Sequence, residues 1–171
     1  TYAVSQNKKI KSYIIVDERT SGFFALGIAK QTKSPVLIIT TSGTATAELY
    51  PSIIEAYQNR VPLIICTADR PAYLRNTGAN QTINQDNIYK NHIRFFYDTG
   101  LPKLAAKNIK SLKENIVKAF KISWLQDCGP VHLNFPFEKP LEPDSITDNI
   151  DESIISIALP IKFSLDKNVT N

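Results

Sequence analysis

Ile14-Ile15-Val16-Asp17-Glu18-Arg19-Thr20-Ser21-Gly22-Phe23-Phe24-Ala25-Leu26-Gly27 sets an apolar, β-branched run against a helical pattern, with two carboxylates at the join. The Ile and Val run reads as a buried strand. The Phe, Ala and Leu spacing beyond Gly22 reads as a helix. A carboxylate at the C-terminal tip of a buried strand stands where open α/β sheets place their ligands. Partial dehydration there would tune Asp17 or Glu18 for proton chemistry. A plainer reading fits the same residues: Asp17 and Thr20 cap a helix, and Glu18 sits in its first turn, favoured by the dipole.

The same order of strand, polar turn and helix recurs outward from this stretch. Lys11 to Val16 is expected as a strand and Gly22 to Gln31 as a helix. Pro35 to Thr40 is a second apolar strand, ending in Thr41-Ser42-Gly43-Thr44, and a helix follows from Ala45 to Tyr57. Pro62 to Thr67 is a third strand, ending in Ala68-Asp69-Arg70-Pro71, with a polar loop to about Gln85. A short helix, a strand over Ile93 to Tyr97, a long helix over Leu104 to Trp124 and a last strand over Pro130 to Phe135 complete the pattern. Continuous apolar strands alternating with helices predict an α/β fold, a parallel sheet with helices on both faces. The strand C-termini of such a sheet line one edge, so Glu18, the Thr41–Thr44 turn and Asp69-Arg70 should converge. Ser42-Gly43-Thr44, opening a helix, could offer N–H groups to an anion or a ring nitrogen. It is too short for a P-loop and has no Lys, and a simple helix cap explains it equally well.

Composition narrows the function classes. With 171 residues and 43% hydrophobic content, the chain can bury one sizeable core. Twenty Lys and Arg against sixteen Asp and Glu leave a net charge of +4. Between Lys103 and Lys121 the lysines recur every three to five residues, opposite Leu104, Ile109, Leu112, Ile116 and Phe120. That is the solvated face of an amphipathic helix rather than a groove that tracks phosphates, so nucleic acid is not an expected partner. No apolar stretch approaches the ~20 residues that cross a bilayer, so no membrane is expected either. Cys66 and Cys128 form no CxxC pair and have no His at metal-ligand spacing, which favours structural thiols and no metal site. Arg75 reads as a solvated loop cation, His132 as a satisfied structural histidine, His92 as a surface or helix-end residue and Trp124 as core. Thr1 to Gln6 reads as the tail of a helix without the strand that should precede it. Residues 1–143 are therefore expected as a domain lacking its first strand and loop. Residues 144–171 are expected as a linker toward a second domain, with the Ile-rich stretch Ile154 to Phe163 within it.

Five segments share one enzyme family's order and spacing. They are Val16-Asp17-Glu18-Arg19, Thr41-Ser42-Gly43-Thr44-Ala45, Thr67-Ala68-Asp69-Arg70-Pro71, Gly78-Ala79-Asn80-Gln81-Thr82-Ile83-Asn84-Gln85 and Gly129-Pro130-Val131-His132-Leu133-Asn134. The chain resembles, from about residue 1 to 143, the N-terminal pyrimidine-binding domain of the 2-succinyl-5-enolpyruvyl-6-hydroxy-3-cyclohexene-1-carboxylate synthases of menaquinone and phylloquinone biosynthesis. The resemblance implies a thiamine-diphosphate enzyme that decarboxylates 2-oxoglutarate and adds the succinyl-semialdehyde carbanion to isochorismate. It implies that Glu18 hydrogen-bonds the aminopyrimidine ring and controls its protonation, with Ser42, Gly43 and Thr44 against that ring. Arg70 matches a family arginine that contacts substrate carboxylate, and Asn80 and Gln81 match amides lining the substrate pocket. Mg²⁺ and the diphosphate would be held outside this chain, by the diphosphate-binding domain of a second subunit in a homodimer or homotetramer. The chain alone would then be inactive. The implied compartment is the cytoplasm, or the plastid stroma in a photosynthetic eukaryote. Two alternatives stay open: another thiamine-diphosphate decarboxylase or synthase, which would share Glu18 but not the Arg70, Asn80 and Gln81 set, and a non-catalytic binding module with this fold.

Overall fold

Four apolar runs pair as parallel strands: β1 (Val36–Thr40), β2 (Leu63–Asp69), β3 (Phe95–Asp98) and β4 (Val131–Pro136), in the order β1-β2-β4-β3. The computed structural model describes residues 4, 5 and 7–141, which lie within one compact unit. Helix α1 (Glu18–Thr32) starts where Asp17 accepts the Thr20 N–H at 2.7 Å, and ends on Lys33 in a left-handed conformation. The expected helix over Ala45 to Tyr57 divides at Leu49 into α2 (Thr44–Glu48) and α3 (Tyr50–Gln58). Pro51 lies in the first turn of α3, where a missing N–H costs nothing but an unbroken helix could not continue. Helix α4 (Ala106–Lys121) ends in a wider turn over Ile122–Gln126 that carries Trp124.

Both faces of the sheet carry cores, as alternation along each strand requires. On one face Ile38, Leu63 and Ile65 pack with Ala25, Leu26 and Ala29 of α1 and with Leu49, Ile53 and Ala56. Gly22 makes this packing close: a Cβ there would lie 2.2 Å from Ser52 Oγ on α3. On the other face Val131 and Leu133 pack beneath α4 through Ile116 and Ala119, flanked by Ile64, Cys66, Phe95 and Tyr97.

The run Lys11–Val16 does not form the expected strand. It is irregular, and Ile14 and Val16 are 97% and 94% exposed. A strand needs a neighbour to supply its ladder of donors and acceptors. Among the described residues β1 is the edge of the sheet, and nothing pairs with its outer side. The exposed run and the open edge are thus one fact seen from two sides. The expectations for residues 144–171, including the stretch Ile154 to Phe163, lie outside the described residues.

Candidate functional site

One face of the sheet changes character at its last rung. Thr40, Thr67, Asn134 and Asp98 stand in register across all four strands, directly beyond the rung Ile38, Ile65, His132 and Phe96. The strand C-termini therefore carry a polar floor on an apolar core. Asn134 is fully buried and saturated: its oxygen accepts from Thr67 Oγ1 at 2.9 Å and Gln85 Nε2 at 3.0 Å. Its amide nitrogen donates to Asp69 and Asp98, at 2.8 and 3.1 Å. Arg75 donates to the same two carboxylates at 2.8 and 3.0 Å. This corrects the expectation of a solvated loop cation, since two carboxylates at strand ends draw Arg75 inward. Burial pushes the Asp98 carboxyl up, but the Gly100 N–H, Asn134 and Arg75 outweigh it and hold the group below the usual carboxylate value.

His132 follows the structural reading. It is fully buried, with Nε2 2.7 Å from Thr67 Oγ1 and its ring edge-on to Tyr89. Thr67 gives its proton to Asn134, so the hydrogen-bond network assigns the proton of a neutral His132 to Nε2. Nδ1 has no partner among the described residues, and burial pushes the imidazole down to about 3. His92 sits half-buried at the end of a short 3₁₀ turn, with Nδ1 2.9 Å from the Tyr50 hydroxyl.

Over the polar floor lies a clasp between two distant segments. Ser42 is buried and donates through Oγ to the Gln81 carbonyl at 2.9 Å. Gln81 bends its own amide back to Thr41 Oγ1, also at 2.9 Å. Gly43, at φ 79°, donates its N–H to Gln85 Oε1 at 2.8 Å. A Cβ at Gly43 would meet the Gln81 carbonyl oxygen at 3.0 Å, so only glycine fits. The Gly43 N–H is accordingly spent inside the fold and is not free for a ligand, contrary to expectation. Thr44 is exposed as the first residue of α2.

The expected residues converge only in part. Asp17 is an exposed cap, its carboxyl held below the usual value by the hydroxyl and N–H of Thr20. Glu18 is half-buried at the start of α1, and it forms no ion pair among the described residues. It does not cap a paired strand, although α1 packs against α2, the helix that the Ser42-Gly43 turn opens. Arg70 is half-buried beyond β2, with its backbone N–H on Asp69 Oδ1 and a buried Nε that has no partner among the described residues. Asn80 is exposed, and among the described residues no side-chain hydrogen bond or ion pair joins Arg70 or Asn80 to Gln81 or Glu18. Gln85, Asn134 and Arg75 were not among the expected site residues. Their signal was polar side chains at alternate positions of apolar strands, Thr67 with Asp69 and His132 with Asn134, which need partners from elsewhere.

A family model for the thiamine pyrophosphate enzyme N-terminal TPP binding domain matches residues 1–88, just over half of the chain. The chain belongs to this family. It is similar to several proteins named 2-succinyl-5-enolpyruvyl-6-hydroxy-3-cyclohexene-1-carboxylate synthase. The one from Lysinibacillus sphaericus is 50% identical over 140 residues, covering 82% of this chain and 24% of that protein. The one from Halobacterium salinarum is 44% identical over 153 residues, covering 90% and 26%. The one from Trichodesmium erythraeum is 42% identical over 164 residues, covering 96% and 27%. The chain thus spans about a quarter of the length of these relatives.

The residues present fit the aminopyrimidine part of thiamine diphosphate. Glu18 is a half-buried carboxylate with no ion pair among the described residues, and the buried Ser42-Gly43 turn opens α2, against which α1 packs. The orphaned Arg70 Nε suits an anionic oxygen. Among the described residues no cluster of three or more His, Cys, Asp or Glu is placed to hold a metal ion, and no helix is long and apolar enough to cross a membrane.

Proposed function

We propose that this chain is the pyrimidine-binding part of a thiamine-diphosphate-dependent synthase that decarboxylates 2-oxoglutarate and joins the remaining four-carbon unit to isochorismate. The observation that carries this reading is the clasp of Gln81 on the Thr41-Ser42-Gly43 turn. Two segments that bear the resemblance, 39 residues apart in sequence, lock together at the strand ends. Bound thiamine diphosphate supplies the carbon that bonds the 2-oxo acid and accepts its electrons as carbon dioxide leaves. Glu18 holds and shares a proton at the ring nitrogen of the aminopyrimidine, and α1 fixes the carboxylate at its first turn. Ser42, Gly43 and Thr44 form the wall against which the ring lies. Arg70 offers its planar donor fork to a substrate carboxylate, and Asn80 and Gln81 offer neutral amides. Residues 1–143 form this domain, and residues 144–171 lead from it. Magnesium, the diphosphate and the rest of the pocket belong to a diphosphate-binding domain of a second subunit in a homo-oligomer. The compartment consistent with such an enzyme is the cytoplasm or the plastid stroma.

A chimera tests the reading. This chain replaces the matching 140 residues of the Lysinibacillus sphaericus relative. The chimera should retain synthase activity. Its Glu18→Gln variant, which cannot share the proton, should lose about 10²-fold or more in kcat. A folded but inactive chimera, or full activity in Glu18→Gln, would refute the proposal.

A further inference from the structure

We propose that Gln85 is a positioning residue of this site: its amide fixes the Ser42-Gly43 turn by holding the Gly43 N–H against the ends of β2 and β4. Gln85 is fully buried, and each half of its amide is engaged on a different element. Oε1 accepts from Gly43, which follows β1, at 2.8 Å. Nε2 donates to the Ala68 carbonyl on β2 at 3.0 Å and to Asn134 Oδ1 on β4 at 3.0 Å, with Thr67 Oγ1 at 3.4 Å. The turn it holds has a backbone conformation, φ 79° and ψ −139°, that glycine adopts without strain but as one of many, so the hydrogen bond to Gln85 selects it. Ser42 and Gln81 brace the same turn from the exposed side, whereas Gln85 braces it from below.

Through Asn134 the anchor extends to Asp69 and Asp98, and through them to Arg75. A break at Gln85 would therefore uncouple the turn from the polar floor while leaving both apolar cores intact. The consequence for a ligand rests on the function proposed above: the turn is the wall of the pyrimidine pocket, so its conformation sets affinity without Gln85 touching the ligand.

Amide hydrogen exchange on this chain tests the anchor, with Ile65 and Leu133 as internal references for global stability. Gln85→Leu removes both halves of the amide. Gln85→Glu keeps an acceptor for Gly43 whether ionised or protonated, but weakens the donor side toward Ala68 and Asn134. In Gln85→Leu the Gly43 amide should exchange about 10-fold faster or more relative to the references, the loss of one buried hydrogen bond. In Gln85→Glu that ratio should stay close to wild type even though the whole fold is weakened. Thiamine diphosphate affinity, followed by calorimetry in the chimera described above, which supplies the diphosphate-binding domain, should fall in the Leu variant and survive in the Glu variant. Should Gln85→Leu fail to fold, Gln85→Met carries the same comparison with a stem of similar length. Gly43 moving only with the references, or Glu behaving as Leu does, would overturn the positioning role. An expected response at Gly43, in a folded chimera that binds no thiamine diphosphate, would support the anchor and overturn the cofactor assignment.

Discussion

The Asp69 side chain is fully buried, and a charge that deep is costly unless it is paired and hydrogen-bonded. Arg75 and Asn134 both reach its Oδ2, and both also reach Asp98 Oδ2. The guanidinium is itself about one-fifth exposed, so solvent screens part of the attraction. Arg75→Met should therefore cost about 1.5–3 kcal/mol, the range for a hydrogen bond to a charged group, read from urea unfolding at neutral pH. Arg75→Lys should recover only part of it, because the shorter lysine stem has to bring its ammonium to the point where Arg75 Nη2 bridges the two carboxylates. The pH dependence follows from Asp98, whose folded carboxyl lies below its unfolded value. Its contribution is present above the ordinary value near 4 and is lost as pH falls through the lower folded value. The acid limb of the stability curve should thus flatten in Arg75→Met. An unchanged urea midpoint at neutral pH would remove Arg75 from the network.

Gly43 links the β1 end to α2, and the demands on this turn can be tested directly. Gly43→Ala would place a Cβ 3.0 Å from the Gln81 carbonyl oxygen, on a backbone that L side chains rarely adopt. A loss of about 1–3 kcal/mol is expected from the strain, with Gln81 displaced from Thr41 in a structure of the variant. A stable variant with the clasp intact would contradict the account. At this scale the sequence was informative where burial alone decides the element. β1, β2 and β4 are apolar runs, and parallel strands covered on both faces require little else. Lys11–Val16 ends in a similar apolar run, Ile14-Ile15-Val16, and is not a strand, because pairing depends on a neighbour that composition does not reveal. Asp17 and Glu18 were legible as a helix start, since the capping geometry is local. Gln85 and Arg75 were not legible as partners of Asn134 and Asp69, because contacts between a loop and a strand rung follow from register.

Across the described residues, the two faces of the sheet are unevenly covered. Helix α4 lies over β4 and its neighbours, while Leu37 and Ile39 on the same face of β1 remain 43% and 39% exposed. The opposite face is closed by α1 and α3, and it holds the polar floor against which His132 is buried. That burial makes the stability of the whole fold sensitive to pH. His132 takes up a proton near 6.5 when unfolded but only at about 3 when folded, since desolvation outweighs the attraction of Asp98. Between those values the unfolded chain binds the extra proton, so stability rises with pH and falls on acidification. Above pH 6.5 the group contributes no slope. Below it the loss approaches about 1.4 kcal/mol per pH unit, or about 2 kcal/mol from pH 6.5 to 5. His132→Gln can still donate an N–H toward Thr67 and does not ionise, so its urea midpoint should be nearly flat over that interval. If His132→Gln instead retains the full wild-type slope between pH 6.5 and 5, the buried neutral imidazole is not its source.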